Sequence, residues 1–399
     1  MSKANISVTG MTSLAEARAF APEWAELAEA SGAKNPFVHP DWMIPWAERS
    51  LRADEQIWLL AAQQNGHLVG VAPFYRRSWG SGLAHSMQPW GTGRNCDLIE
   101  LPQLLLDQSQ PRNVARALVG RLCTESKRWD WAFVPLEDSL WFEPDWLPGV
   151  GSIIVLTRTV RASVVRYIDT SAPLAVKRNV RESVRRARNR LDRAYPGRWF
   201  ISRATSRSEV LDAFSDLLSL HVARSRIAGK EMHSNVLSQE SNSSMLLAVL
   251  AASADRGAAC IYRLLVDGHA VAALLVLRTA ECSYFLLSGM SEPSWEYSPV
   301  TLLQSCAVDD AIKLDHRQVN LSTGPDTAKM RWSENVSVHP EFVLVPNRPL
   351  SLATFGTYSL ASAVAGVRRE RNRHALLSSR SRSAKRARYA PDTHDMSDV

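Results

Sequence analysis

Residues 260–290, CIYRLLVDGHAVAALLVLRTAECSYFLLSGM, constrain the fold most, because three apolar runs are separated by breaks at Asp267-Gly268 and Ala280-Glu281. Asp-Gly tolerates the positive φ of a two-residue hairpin turn, so the runs predict three successive antiparallel strands. Around them, the spacing of apolar residues predicts a strand over 199–204 and helices over 208–224 and 240–253. The first of these helices is read as opened by Ser208, with Leu211, Phe214, Leu218 and His221 on its apolar side. A helix over 300–314, the strand RQVNLS and a last strand, EFVLVP, follow the meander.

The clearest helical period precedes this block. Val176, Val180, Val184, Ala187, Leu191 and Ala194 recur at three and four residues, and Arg181, Arg185 and Arg188 stand among eight basic residues on the other faces. Pro196-Gly197 ends that helix. Earlier still, helices are expected over 11–31 and from Pro40, and a hairpin at Asn65-Gly66. A strand at CDLIELP, a helix from Pro111 to Ser126 and a strand over 129–136 complete a compact α/β unit. With 399 residues, 45% of them hydrophobic, the chain accommodates about two domains. We place them at 1–160 and 161–348, a strand over 163–171 opening the second, whose element order is that of the first but longer. Residues 349–367 are read as a helix that packs on the second domain or contacts a membrane, and 368–399 as a disordered tail, basic and then acidic.

Most of the formal charge of +7 belongs to that tail, since nine Lys or Arg and only Glu370 lie between Arg368 and Arg388. Solubilisation, or a weak contact with an anionic membrane or nucleic acid, follows from such a segment. The five Cys are scattered without a CxxC, which argues against a disulfide scaffold or a thiolate zinc site, and no metal is expected. The first thirty residues carry acids and no sustained apolar stretch, so a cytoplasmic location is the expectation. GxSxG, HExxH, GxGxxG and GxxxxGK[ST] are all missing, which withdraws support from the common hydrolase, metalloprotease, dinucleotide and P-loop classes.

Two segments can carry chemistry. In SYFLLSGMSEPSWEYSPVTLL a strand runs out at Ser288-Gly289, and Ser298-Pro299 starts a helix whose free amides, through Val300 and Thr301, suit a pyrophosphate. In NLSTGPDTAKMRWSE a polar bend at a strand end presents Asp326 and Lys329. For proton handling the candidates are His221 and Asp326, and for charge stabilisation Lys329. On the basic helix Arg181, Arg185 and Arg188 are candidates for attracting an anionic acceptor or a phosphorylated donor, or for a tRNA contact. A surface ion pair for Asp326 and Lys329, a core histidine for His221 and a solvated face for the basic helix are the alternatives.

The ordered set HPDWMIPWAE, NGHLVGVAPFYRR, KRNVRESVRRARNRL, DGHAVAALLVL, SGMSEPSWEYSPVTLL and STGPDTAKMRWSE resembles the GNAT-like acyltransferases of the cellulose-biosynthesis acetyltransferase family. The resemblance covers roughly residues 15–345. It implies two GNAT-like domains of mixed α/β class with mixed, largely antiparallel sheets, an architecture shared with FemAB-type aminoacyl transferases. It also implies acetyl-CoA or another acyl-CoA as donor at the second domain, and acyl transfer to an amine or hydroxyl of a small-molecule or sugar acceptor. Where the family commonly has Ser-Pro-Gly this chain has Val300, and where it has Tyr-Lys this chain has Ala328-Lys329. A catalytically silent GNAT-like protein bound to a membrane or nucleic acid is the second reading.

Overall fold

The computed structural model describes residues 6–92, 98–136, 154–172, 175–227, 235–324 and 327–365. The first half runs β1 (Ser7–Met11), α1 (Leu14–Ala30), α2 (Pro40–Ser50), β2 (Gln56–Gln64), β3 (His67–Trp79), β4 (Ala84–Pro89), β5 (Leu105–Leu106), α3 (Pro111–Thr124) and β6 (Trp131–Pro135). After β7 (Ile154–Asp169) and the basic helix α4 (Arg178–Ala194), the second half repeats that order as β8 (Trp199–Ala204), α5 (Arg207–Ser225), α6 (Glu240–Asp255), β9 (Ala259–Val266), β10 (His269–Arg278), β11 (Cys282–Met290), α7 (Pro299–Lys313) and β12 (Gln318–Thr323). The short α8 (Thr327–Trp332), β13 (Val336–Pro346) and α9 (349–365) follow.

All strands join one sheet in the order β1-β2-β3-β4-β6-β13-β7-β12-β11-β10-β9-β8, with β5 beside β3. Each half contributes an antiparallel meander and one parallel pair, β4 with β6 and β11 with β12. The halves meet through exchanged strands. β13, late in the chain, pairs antiparallel with β6 of the first half, while β7, which follows the first half, pairs antiparallel with β12 of the second; β7 and β13 pair with each other from Val336↔Arg166 to Pro346↔Ile154. The sheet is therefore mixed and mostly antiparallel, as expected.

Alternating side chains along the strands cover the two faces with helices. On one face Leu59, Val71 and Tyr75 share a core with α1 and α2, and Ile261, Leu275 and Tyr284 share the same core with α5 and α6, so a single hydrophobic cluster crosses from half to half. Trp24, Trp42, Trp46 and Trp90 are its largest members and are all buried. Each hides about 150–250 Å², on the order of 4–6 kcal/mol at about 25 cal/mol per Å² as an upper bound. The other face carries α3 over the first half and α4 and α7 over the second.

Several boundaries differ from the sequence expectations for identifiable reasons. β1 was not anticipated; it is a five-residue edge strand held by backbone register to β2. CDLIELP is no strand among its described residues, 98–102. Leu98, Ile99 and Leu101 are buried, and the Leu101 carbonyl accepts a hydrogen bond at 2.8 Å from the Asn35 side chain instead of a ladder amide. The strand that follows the β2–β3 hairpin is β4, antiparallel to β3. α5 is capped by Ser206, with Glu209 three residues on closing a capping box, so its buried set is Val210, Ala213, Phe214, Leu217, Leu220 and His221. β7 starts at Ile154, which puts the boundary drawn at residue 160 inside a strand. The tail 368–399 lies outside the described residues. The shared core and exchanged strands predict one cooperative unit: in urea, amide protection in 56–89 and in 259–290 should be lost at the same denaturant concentration, and two separated transitions would contradict the shared core.

Candidate active site

β11 and β12 pair only at Cys282↔Gln318, Ser283↔Val319 and Tyr284↔Asn320. Beyond that point β11 continues along β10 as far as Met290↔Ala272, while β12 stays with β7 as far as Thr323↔Val165. The two strands part and open a gap in the sheet. Beside the gap β11 carries a bulge, since Leu275↔Leu287 and Val276↔Phe285 leave Leu286 with no opposite residue. A cavity of about 640 Å³ occupies the gap, floored by β11 and β12 and walled by α5, the start of α7 and α8.

The α7 wall is electropositive for a structural reason. Ser298, its N-cap, is in the left-handed region at φ 52°, Pro299 takes the first helical position, and the Ser298 side chain makes no capping bond. The first-turn amides of Val300 and Thr301 have no intrahelical acceptor, and the helix dipole adds partial positive charge. Ser298, Pro299, Val300 and Thr301 all line the cavity, so the expected pyrophosphate position opens into it.

On the opposite wall Ser288 and His221, two candidates the sequence reading treated separately, meet. His221 is fully buried on α5, with Nδ1 3.2 Å from the Ser288 carbonyl oxygen, and Arg224 donates to the Ser288 hydroxyl. Gly289 does not line the cavity. A Cβ there would stand 2.4 Å from the His221 nitrogen and the Leu220 carbonyl carbon, so this glycine lets α5 lie directly on β11. Lys329 lines the cavity from α8 and donates to the Thr323 carbonyl. Asp326 lies outside the described residues. Arg181, Arg185 and Arg188 are exposed on α4 and none reaches the cavity; Arg188 faces the Asp309 side of α7.

Sequence reasoning missed a carboxylate. Glu100 enters the cavity from the first half, in the segment that had been read as strand. Tyr284, buried at the point where the strands part, donates its hydroxyl to Glu100. Desolvation raises the Glu100 pKa above the ordinary carboxylate value; hydrogen bonds from Ser322 and Tyr284 and the charge of Lys329 oppose the shift without reversing it. Burial, then Glu100 itself, holds the Tyr284 phenol well above its usual value, so it stays a proton donor. Ser322 sits at φ 73°, costing on the order of 1–3 kcal/mol, and its amide donates to Asn320 Oδ1 at 2.8 Å. This strained corner coincides with the register shift of β12 against β7. No spacing rule exposes such a residue. Cys282 is fully buried, its thiol pushed up to about 11 chiefly by burial, which makes it a packing residue. Among the described residues no group of three or more His, Cys, Asp or Glu is placed to hold a metal.

Known proteins agree with this geometry at the level of fold. Residues 178–330 match the family model described as Acetyltransferase (GNAT) domain. The crystal structure of FemX is similar over 84% of this chain and 98% of its own, with a TM-score of 0.57 and 11% identity. A conserved protein of unknown function from Bacteroides thetaiotaomicron (TM-score 0.49, 13% identity, 86% of this chain and 100% of that one) and a tandem GNAT protein from the clavulanic acid biosynthesis pathway (TM-score 0.42, 13% identity, 86% and 99%) also align. No curated protein matches the chain in sequence. Residues 178–330 thus resemble a GNAT acetyltransferase domain, and the fold of the chain is similar to that of FemX.

Because the folded chain raises the Glu100 pKa, it binds the proton more tightly than the unfolded chain does, and stability is lost as pH rises from the ordinary carboxylate value through the folded one. Glu100→Gln should therefore melt at a higher temperature than wild type near neutral pH, with the difference closing as pH falls below the ordinary carboxylate range. Melts that keep a constant offset across pH would show that the ionised carboxylate carries no such cost.

Proposed function

We propose that this protein is an acyl-CoA-dependent acyltransferase, and that transfer to an amine or hydroxyl of a small-molecule or sugar acceptor takes place where β11 and β12 part. The observation that carries the reading is the gap between two parallel strands beside an uncapped helix start, with a carboxylate of raised pKa delivered from the other half. The thioester donor supplies the activated acyl group. The first-turn amides of α7 bind its pyrophosphate, helped by Arg331 from the α8 wall of the same cavity. The backbone at the Leu286 bulge is free of the β10 register and receives the carbonyl oxygen as negative charge grows on it.

Glu100 takes the proton from the acceptor nitrogen or oxygen as that atom bonds to the acyl carbon. The carbon–sulfur bond breaks, its electron pair leaves on sulfur, and Lys329 stabilises and protonates the thiolate, a task for which the chain has no tyrosine at Ala328. A base with a raised pKa suits this work, because general catalysis is most effective when the pKa lies near the working pH. Tyr284 is already committed to Glu100 and serves to orient it. His221, through the Ser288 carbonyl, fixes the β11 wall.

Titration with CoA should protect the amides of Val300 and Thr301 from hydrogen exchange, and saturating CoA that leaves them unchanged would falsify the donor position. Glu100→Gln should retain that protection while kcat/KM falls by about 10²–10⁴, and Lys329→Ala should lose roughly ten-fold or more, equivalent to about 1.4 kcal/mol. Wild-type turnover in folded Glu100→Gln, measured with an acceptor found by screening, would remove Glu100 from the chemistry.

A further inference from the structure

α9 holds no charged residue, and the uncharged stretch extends over all nineteen residues between Arg348 and Arg368. Its inner face is fully accounted for. Tyr358 stacks on Trp131 with ring centroids 5.0 Å apart and meets Trp79 edge-on at 5.0 Å, and Ser351 donates to Asp130 at 2.7 Å. These contacts cover the side chains of β6 and β13 that point away from α3, Trp131, Phe133, Val343 and Val345. The helix packs on β6 of the first domain and on β13 of the second, where the sequence had suggested the second domain alone.

The outer face is the anomaly. Ala353, Gly356, Leu360 and Val364 follow one another at three and four residues and so form one stripe. Leu360 is 69% exposed and Val364 45%, with Leu350 at 61% and Leu352 at 43% on the flanks. A surface helix ordinarily turns charge toward water on this side. Here an apolar stripe faces outward, and the chain continues directly into nine Lys or Arg against one Glu.

We propose that α9 is a membrane-surface contact: its outer stripe lies in the headgroup region of an anionic bilayer, and the basic segment after it binds the lipid phosphates. The chemistry of the two parts is complementary to the two layers of such a surface, apolar boundary and anionic headgroups. The helix lies in the plane of the surface, because among the described residues no helix is long and apolar enough to cross a membrane. A second copy fits less well. A stripe about 17 Å long and about 10 Å wide offers roughly 170 Å², against about 800 Å² per partner in a stable protein interface.

The test is co-sedimentation of the full chain with vesicles of phosphatidylcholine alone, or of phosphatidylcholine with about one quarter phosphatidylglycerol. Wild type should be retained only by the anionic vesicles. The Leu360→Asp/Val364→Asp double variant, whose altered side chains face solvent and whose folding is checked by thermal melts, should lose retention roughly ten-fold or more. Replacing Arg368, Arg369, Arg371 and Arg373 by Gln should weaken retention and flatten its salt dependence. Undiminished retention of the Asp variant overturns the proposal. So does failure of wild type to bind either vesicle, whether it instead binds a duplex oligonucleotide through the basic segment or forms a dimer that the Asp variant breaks.

Discussion

The antiparallel pairing of β7 with β13 is the constraint on which the rest of the molecule depends. Each strand follows one half of the chain and completes the sheet of the other, so neither half closes its own edge. This exchange turns two units of similar element order into one sheet and holds them at a fixed offset. The fixed offset makes a composite site workable, since Glu100 from the first half has to reach the gap between β11 and β12 in the second to within hydrogen-bond distance of Tyr284. A hinged pair of domains would leave that distance to chance.

Within the cavity two electrostatic environments stand against each other. At the α7 end, unpaired amides and the helix dipole favour negative charge. At the Glu100 end, burial disfavours it, and the carboxylate relies on Tyr284, Ser322 and Lys329 for what stabilisation it has. On the proposed reading, an anionic ligand portion and a group surrendering a proton are thereby directed to different ends of one space.

Much of the scaffold was legible in the sequence because its signals are local. Asn65-Gly66 and Asp267-Gly268 adopt the positive φ values their hairpins require, and the period of Val180, Val184, Ala187 and Leu191 is the buried stripe of α4. The start of α7 and its neighbours, Ser288 and Lys329, were legible too, because a proline-led helix start and a polar bend at a strand end announce themselves. What was hidden is non-local. CDLIELP has the apolar density of a strand, yet its described residues plug the core without pairing, and only the three-dimensional arrangement carries Glu100 to the cavity. The left-handed backbone of Ser322 and the interchange of β7 and β13 likewise leave no periodic trace.

The exchanged strand also fixes an order of events during synthesis. When β6 has left the ribosome, the strand that will cover its free edge is still about 200 residues from being made, and at about 5–20 residues per second that edge waits for roughly 10–40 s. The waiting segment, Trp-Ala-Phe-Val-Pro at 131–135, is apolar on both sides and unpaired on one, the kind of edge that captures other chains. A nascent first half therefore keeps an aggregation-prone edge open, and its native partner arrives only with nearly the last of the fold.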